Sequence, residues 1–357
     1  MGQISISQAQ GIFTDKLQAI YQEKIMPTAF LRSFFVPKES QTKLVSIAVR
    51  RGREMAAVDV QRGTEGNRNT FSKGSRKTFL PGYFEEYLDA TELDFYDTMW
   101  NGTGTVDVQI FKDWLDQAVD ALDELISKID RAYEIMCSQV FESGTVVLAS
   151  GDNINFGRKA GSLVGHSAAT DFATGTVSPY DVIEAGCNFI RTKGKSRGTV
   201  LNCIMGSQAH ADFMKNDIVL ERNDLQSIKL DSIREPQRVS DATLHGEITA
   251  GSFRVRIWTY NEYYDTAAGD HNEYINPKKI VILPEAPNFN FMYSGVPQLL
   301  GDRGAKEGAG LAGKKGRYHV SEHLDTRKKA HQIIVESAGI PVPVAVDQLY
   351  TVQVVAP

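Results

Sequence analysis

His319-Val320-Ser321-Glu322-His323 has the letters of an inverted zinc-protease motif, in which two histidines hold the metal and a glutamate handles the proton of a bound water. That chemistry needs both imidazoles on one face of a stable helix and a third ligand downstream. A Gly- and Lys-rich run and the strand-like Tyr318-His319-Val320 surround the motif instead, and no long amphipathic helix contains it. Just upstream, Gly308-Ala309-Gly310-Leu311-Ala312-Gly313-Lys314-Lys315 nearly spells a phosphate-binding loop. Its last position carries Lys315 where Ser or Thr would hold magnesium, and it follows Leu300-Gly301-Asp302-Arg303 rather than a buried strand. The GxGxxG within the same residues lacks a βαβ setting, so 301–316 is expected to be a flexible linker. No serine lies in a nucleophile elbow. Cys137, Cys187 and Cys203 have neither disulfide nor metal-ligand spacing and are expected to be small buried hydrophobes in a reducing cytoplasm. No catalytic residue, cofactor or metal is therefore expected.

The charge pattern is more informative. Net charge is −5, against the dominant basic face of a dedicated nucleic-acid binder. Yet residues 50–80 carry eight basic side chains (Arg50, Arg51, Arg53, Arg62, Arg68, Lys73, Arg76, Lys77) and three acidic ones, a net +5. Residues 85–134 carry fourteen acids and three bases, a net −11. Glu85, Glu86, Asp113, Asp116, Asp120 and Asp123 are the acids singled out in that second segment. With Phe71 the one aromatic in the polar centre of the basic run, base stacking on nucleic acid is a poor fit. Pairing of the basic segment with the acidic one, on its own chain or on a neighbouring copy, fits better. Such exposed pairs supply register and specificity more than stability, at about 0–1 kcal/mol each.

These residues need elements to position them. Ile12, Leu17, Ile20 and Ile25 recur at roughly helical spacing before Pro27 and Pro37, predicting an arm that leans on other structure. Strand-like ends around a polar, glycine-containing centre predict a two-stranded projection over 45–82. From about Asp107 to Glu142, apolar residues fall at Phe111, Leu115, Ala118, Leu122, Leu125, Ile129, Ala132, Met136 and Val140. That spacing predicts a helix of about 50 Å, stopped by Gly144, with Asp113, Asp116, Asp120, Asp123 and Asp130 on its solvated faces. Ser178-Pro179-Tyr180-Asp181 predicts a capped helix start, and TVLNCIM, SFRVRIWTY and KKIVILP predict strands. In the tail, Pro341 and Pro343 predict an edge or a bend. No stretch is apolar enough to span a membrane, and the first residues lack the pattern of a signal peptide.

The order of these parts resembles the tailed-bacteriophage major capsid proteins of the lambda type. The resemblance rests on AVRRGREMAAVDVQRGTEG, KTFLPGYFEEYLDATEL, the long helix, NINFGR, and SPYDVIEAGCNFIRTKGKSRGTVLNCIMGSQAHADFM, and covers most of 40–350. It implies an α+β chain of Hong Kong 97-like fold. The parts would be an N-terminal arm (1–44), an extended loop (45–82) and a peripheral domain with a spine helix (83–175, helix about 108–142). An axial domain (176–300) and a linker returning to the peripheral domain (301–357) would follow. It also implies a self-assembling shell of hexamers and pentamers enclosing double-stranded DNA without sequence-specific binding. Its partners would be further copies, scaffolding, portal and decoration proteins. The shell would be assembled in the host cytoplasm and located in the virion. An encapsulin-like compartment shell shares the fold and is the alternative; a zinc hydrolase using His319 and His323 is the third reading.

Overall fold

The computed structural model describes residues 29–49, 75–91, 108–148, 153–225, 237–239, 241–266, 269–300, 310–314, 316–325 and 330–356. The first part of the chain supplies β1 (Val36–Glu39), β2 (Val45–Val49), β3 (Ser75–Phe79) and β4 (Gly82–Thr91). Helix α1 (Val108–Glu142) follows, then β5 (Thr145–Val147), β6 (Asn153–Asn155), β7 (Leu163–Val164) and α2 (Pro179–Thr192). The middle holds β8 (Val200–Met205), α3 (Ser207–Lys215), α4 (Asp217–Leu225), β9 (Gln237–Val239), β10 (Ala242–Ala250) and β11 (Phe253–Thr259). After β12 (Tyr263–Asp265) and β13 (His271–Glu273) come β14 (Lys279–Pro284), β15 (Phe289–Tyr293), β16 (Val296–Leu300) and β17 (Gly310–Lys314). The tail forms β18 (His319–Asp325), β19 (Ala330–Pro343) and β20 (Tyr350–Gln353).

Helix α1 follows directly from its apolar period. Leu122, Leu125, Ile129, Met136 and Val140 are all buried, each at the spacing of one helical stripe. Gly144 ends it: φ of +72° lets its N–H reach back to the carbonyls of Gln139 and Val140, closing the last turn. Ser178 caps α2, its hydroxyl accepting from the Asp181 amide, with Pro179 at the first position.

Two sheets pack around this frame. In the five-stranded sheet, β19 is central. Strand β4 pairs along one edge (Gly339 opposite Gly82 to Ala330 opposite Thr91). Along the other edge lie β18 (Ala330–Glu336 of β19) and then β15 (Gly339–Pro343), with β1 parallel to β15. Pro341 and Pro343 lie beyond the last β4 partner, at the open edge that a residue without an N–H requires.

The seven-stranded sheet runs β7-β20-β14-β8-β11-β10-β9. Its strands alternate between two buried faces: Leu201, Cys203, Ile280 and Ile282 face the α2 core, whereas Ile204, Val281 and Leu283 join the α1 core. Both faces being covered explains why VLNCIM and KIVIL are near-continuous apolar runs.

Two boundaries differ from the sequence expectation. Strand β15, placed in the 176–300 unit, pairs instead with β19. Strand β20, placed with the returning tail, enters the seven-stranded sheet between β7 and β14. Strand exchange between sheets depends on long-range pairing, which a local pattern does not encode.

Candidate assembly interface

The base of the basic segment is a two-stranded ladder, Val45 opposite Phe79 through Val49 opposite Ser75. It is anchored by burial of Val45 and by the Phe79 ring on Phe156, centroids 5.3 Å apart. Arg76 and Lys77 stand on β3 opposite Ala48 and Ile47. Arg50, Arg51, Arg53, Arg62, Arg68 and Lys73 lie outside the described residues. Leu80 and Pro81 lead straight from this ladder into β4, so the basic ribbon and the acidic segment share one junction. A cleft of about 530 Å³ opens there, lined by Phe79, Tyr83, Phe84, Met136, Leu148 and Ile154 among others.

On β4 the pleat sorts residues between faces. Phe84 and Leu88 pack on the α1 core, while Tyr83, Glu85 and Tyr87 are exposed. Glu85 stands directly opposite Glu336 of β19, a like-charge pairing that a sheet ordinarily disfavours. The Tyr83 hydroxyl donates to both carboxylates, at 3.2 Å to Glu85 and closer still to Glu336. Partial burial and then these two acids hold the phenol above its usual range. The result is a pair of carboxylates, Glu85 exposed and Glu336 half-buried, flanked by the exposed Tyr83 and Tyr87 and chemically suited to receive a cation. Glu86 is half-buried opposite Val335. Asp113, Asp116 and Asp120 lie in the first half of α1, their side chains outside the described residues. Asp123 is half-buried and already engaged.

One acid does not belong to the solvated set. Asp130, expected on an exposed face, is only 6% exposed, because the stretch from Phe30 to Phe35 lies over the helix there. Arg32 pairs with Asp130, to which Tyr318 also donates. One turn on, Glu134 accepts the amides of Leu31 (2.7 Å) and Arg32 (3.1 Å). Phe30, Leu31 and Phe35 fill the adjoining core. This clamp on the arm, Arg32 with Asp130, Glu134 and Tyr318, was missed from the sequence. Its signal was a lone arginine inside the apolar run Phe30–Phe35. Arg158 is a second such residue. Its guanidinium donates to the carbonyls of Phe141 (2.7 Å) and Ser162 (2.9 Å), and to the hydroxyls of Ser162 (3.2 Å) and Thr351 (3.0 Å).

The two motifs with catalytic lettering are taken apart by the fold. His319 and His323 occupy β18, four residues and about 13 Å apart along a strand, too far to share a zinc whose bonds to nitrogen are roughly 2 Å. This removes the geometric basis of the zinc-hydrolase reading. Gly310–Lys314, expected to be linker, forms β17 paired with β16 from Val296 opposite Lys314 to Leu300 opposite Gly310. A strand there, with no helix following it among the described residues, cannot cradle a phosphate in the manner of a P-loop. The three cysteines are buried as expected, and burial pushes each thiol up, Cys187 to about 12.

The family profile described as Phage major capsid protein E matches residues 14–354. A crystal structure of a prophage protein of E. coli CFT073, assigned as a capsid protein, is similar with a TM-score of 0.61 at 14% identity, covering 96% of this chain and 98% of that one. A phage-related protein of Bordetella bronchiseptica RB50 aligns with a TM-score of 0.51 at 10% identity, over 95% and 96% of the two chains. The SrpI encapsulin of Synechococcus elongatus PCC 7942 aligns at 0.44 and 11% identity, over 95% of each chain. A search of curated proteins gives no match. The fold is the mixed α+β, Hong Kong 97-like capsid fold. With its profile matched almost end to end and its fold shared over the full length of a prophage relative, the chain belongs to the phage major capsid protein E family.

Proposed function

We propose that copies of this chain self-assemble into hexamers and pentamers of an icosahedral tailed-phage head enclosing double-stranded DNA. The observation that carries this is the family match over residues 14–354. In this reading the chain builds a shell and catalyses no reaction. The sheet of β4, β15, β18 and β19 with α1 forms the peripheral domain, and the seven-stranded sheet with α2 forms the axial domain. Residues 1–44 are the arm and 45–82 the extended loop. The loop's Arg50, Arg51, Arg53, Arg62, Arg68, Lys73, Arg76 and Lys77 reach the acidic surface of an adjacent copy, near Glu85, Glu86, Asp113, Asp116, Asp120 and Asp123. The carboxylates of exposed Glu85 and half-buried Glu336, beside Tyr83, support that assignment because a cation would relieve their mutual repulsion. Assembly takes place in the host cytoplasm with scaffolding, portal and decoration proteins as partners.

Reversing Arg50, Arg51 and Arg53 to Glu tests the contact. The subunit should fold with an unchanged circular-dichroism spectrum, while assembly followed by light scattering falls, most visibly at low salt where screening is weakest. Unaltered assembly would show that the loop's charge is incidental.

A further inference from the structure

The assembly reading makes no use of a histidine pair in the seven-stranded sheet. His210 of α3 and His245 of β10 stack with ring centroids 4.0 Å apart and planes inclined by 31°. Three local features bring them together. The β10–β11 register slips between Leu244 and Gly246, leaving His245 as the extra residue of a β-bulge, a device that re-aims a side chain. Gly246, at φ +149°, occupies backbone space that a residue with a Cβ would resist. The His245 Nε2 is held by the Thr259 hydroxyl across the ladder at 2.8 Å. The His210 Nε2, by contrast, is buried without a hydrogen-bond partner among the described residues.

We propose that the stacked His210–His245 pair is an acid-released latch between α3 and the β10 bulge, closed when both rings are neutral and opened when they gain protons. Two neutral imidazoles can share a face, but two imidazolium ions at this separation repel, and an added proton on the buried His210 Nε2 finds no acceptor among the described residues. The charged groups around the pair do not offset this. On α3 the ionisable neighbours are Asp212 and Lys215, on β10 it is Glu247, and Asp241 stands just before β10. Arg256 of β11 engages Glu247 at 2.8 Å, and Glu273 of β13 accepts the Ser207 hydroxyl at 3.0 Å. Burial and then His245 push His210 down to about 4, and burial lowers His245 as well. The sign follows: the unfolded histidines take protons near 6.5, before the folded ones do. The latch is therefore fully held above about pH 6.5 and weakens as pH falls through about 4.

Histidine Cε1 hydrogen–deuterium exchange, read peptide by peptide by mass spectrometry on the full-length protein, measures each titration midpoint in the folded state. His210 should titrate at least one pH unit below free histidine, and amide exchange of 207–215, corrected for intrinsic rate, should accelerate at least tenfold between pH 6.5 and 4. In His245→Asn that acceleration should shrink severalfold, since the second charge is gone. A His210 midpoint at or above 6.5 in the wild type, or the same acceleration in the variant, would overturn the proposal.

Discussion

At Glu134, three donors meet one buried carboxyl: the amides of Leu31 and Arg32 and the hydroxyl of Tyr260. Burial outweighs those donors and raises the group from 4.5 to about 7. An acid whose folded pKa is raised favours the fold while it keeps its proton, so its contribution falls as pH climbs from 4.5 through 7. Glu134→Gln should therefore gain on the wild type with rising pH, by about 3 kcal/mol at most across that window. Denaturant melts at pH 5 and pH 8 would check this, and a gap that widens in the opposite direction would refute it. This chemistry was only half legible in the sequence. Asp130 and Glu134 lie one turn apart, as solvated helix acids commonly do, and their burial depends on a segment a hundred residues earlier folding over them. No local pattern reports that Arg32 arrives there.

At the scale of elements, the sequence spoke clearly wherever a period or a cap was local. The span of α1, its glycine stop, the Ser178-Pro179 start of α2 and the ladder of β2 with β3 all appear as read. Strand β17 was missed because glycines and a lysine dominate Gly310–Lys314, and its order comes from pairing with β16 rather than from propensity. The joint between α1 and the seven-stranded sheet was equally silent: beside the Thr351 hydroxyl, which donates to the Phe141 carbonyl at 2.7 Å, and Lys279, paired with Glu142 at 3.0 Å, its most connected pin is Arg158. That guanidinium satisfies a carbonyl at the helix end and reaches Thr351 on β20, so it ties helix to sheet. Arg158→Met should leave the Ser162 carbonyl short of a donor, while the Phe141 carbonyl keeps the Thr351 hydroxyl, and cost roughly 2–4 kcal/mol. Thr351→Val, which removes one of the four guanidinium bonds and the Thr351 bond to Phe141, should cost about 1–2 kcal/mol. Equal losses in chemical denaturation would mean that Arg158 is not the pin.

Across the whole molecule, charge segregation and element order, both properties of the sequence, point the same way. The β2–β3 ladder that carries Arg76 and Lys77 meets β4 across Leu80 and Pro81, where the acidic segment begins, and this is the basis for proposing that each copy supplies both halves of a contact. Head-to-tail contacts between copies generate rings where the rotation closes and open filaments where it does not. What the sequence could not supply was which residues complete the acidic face: Glu336 enters from the tail, 251 positions after Glu85, through the β4–β19 register. The central claim is that this chain builds a closed shell from copies of itself. Electron microscopy of the purified full-length protein tests it most directly, with co-expressed scaffolding activity if the chain alone stays dispersed. The expected images are closed icosahedral particles, or their hexameric and pentameric units. A population that remains discrete monomers under both conditions would contradict the account.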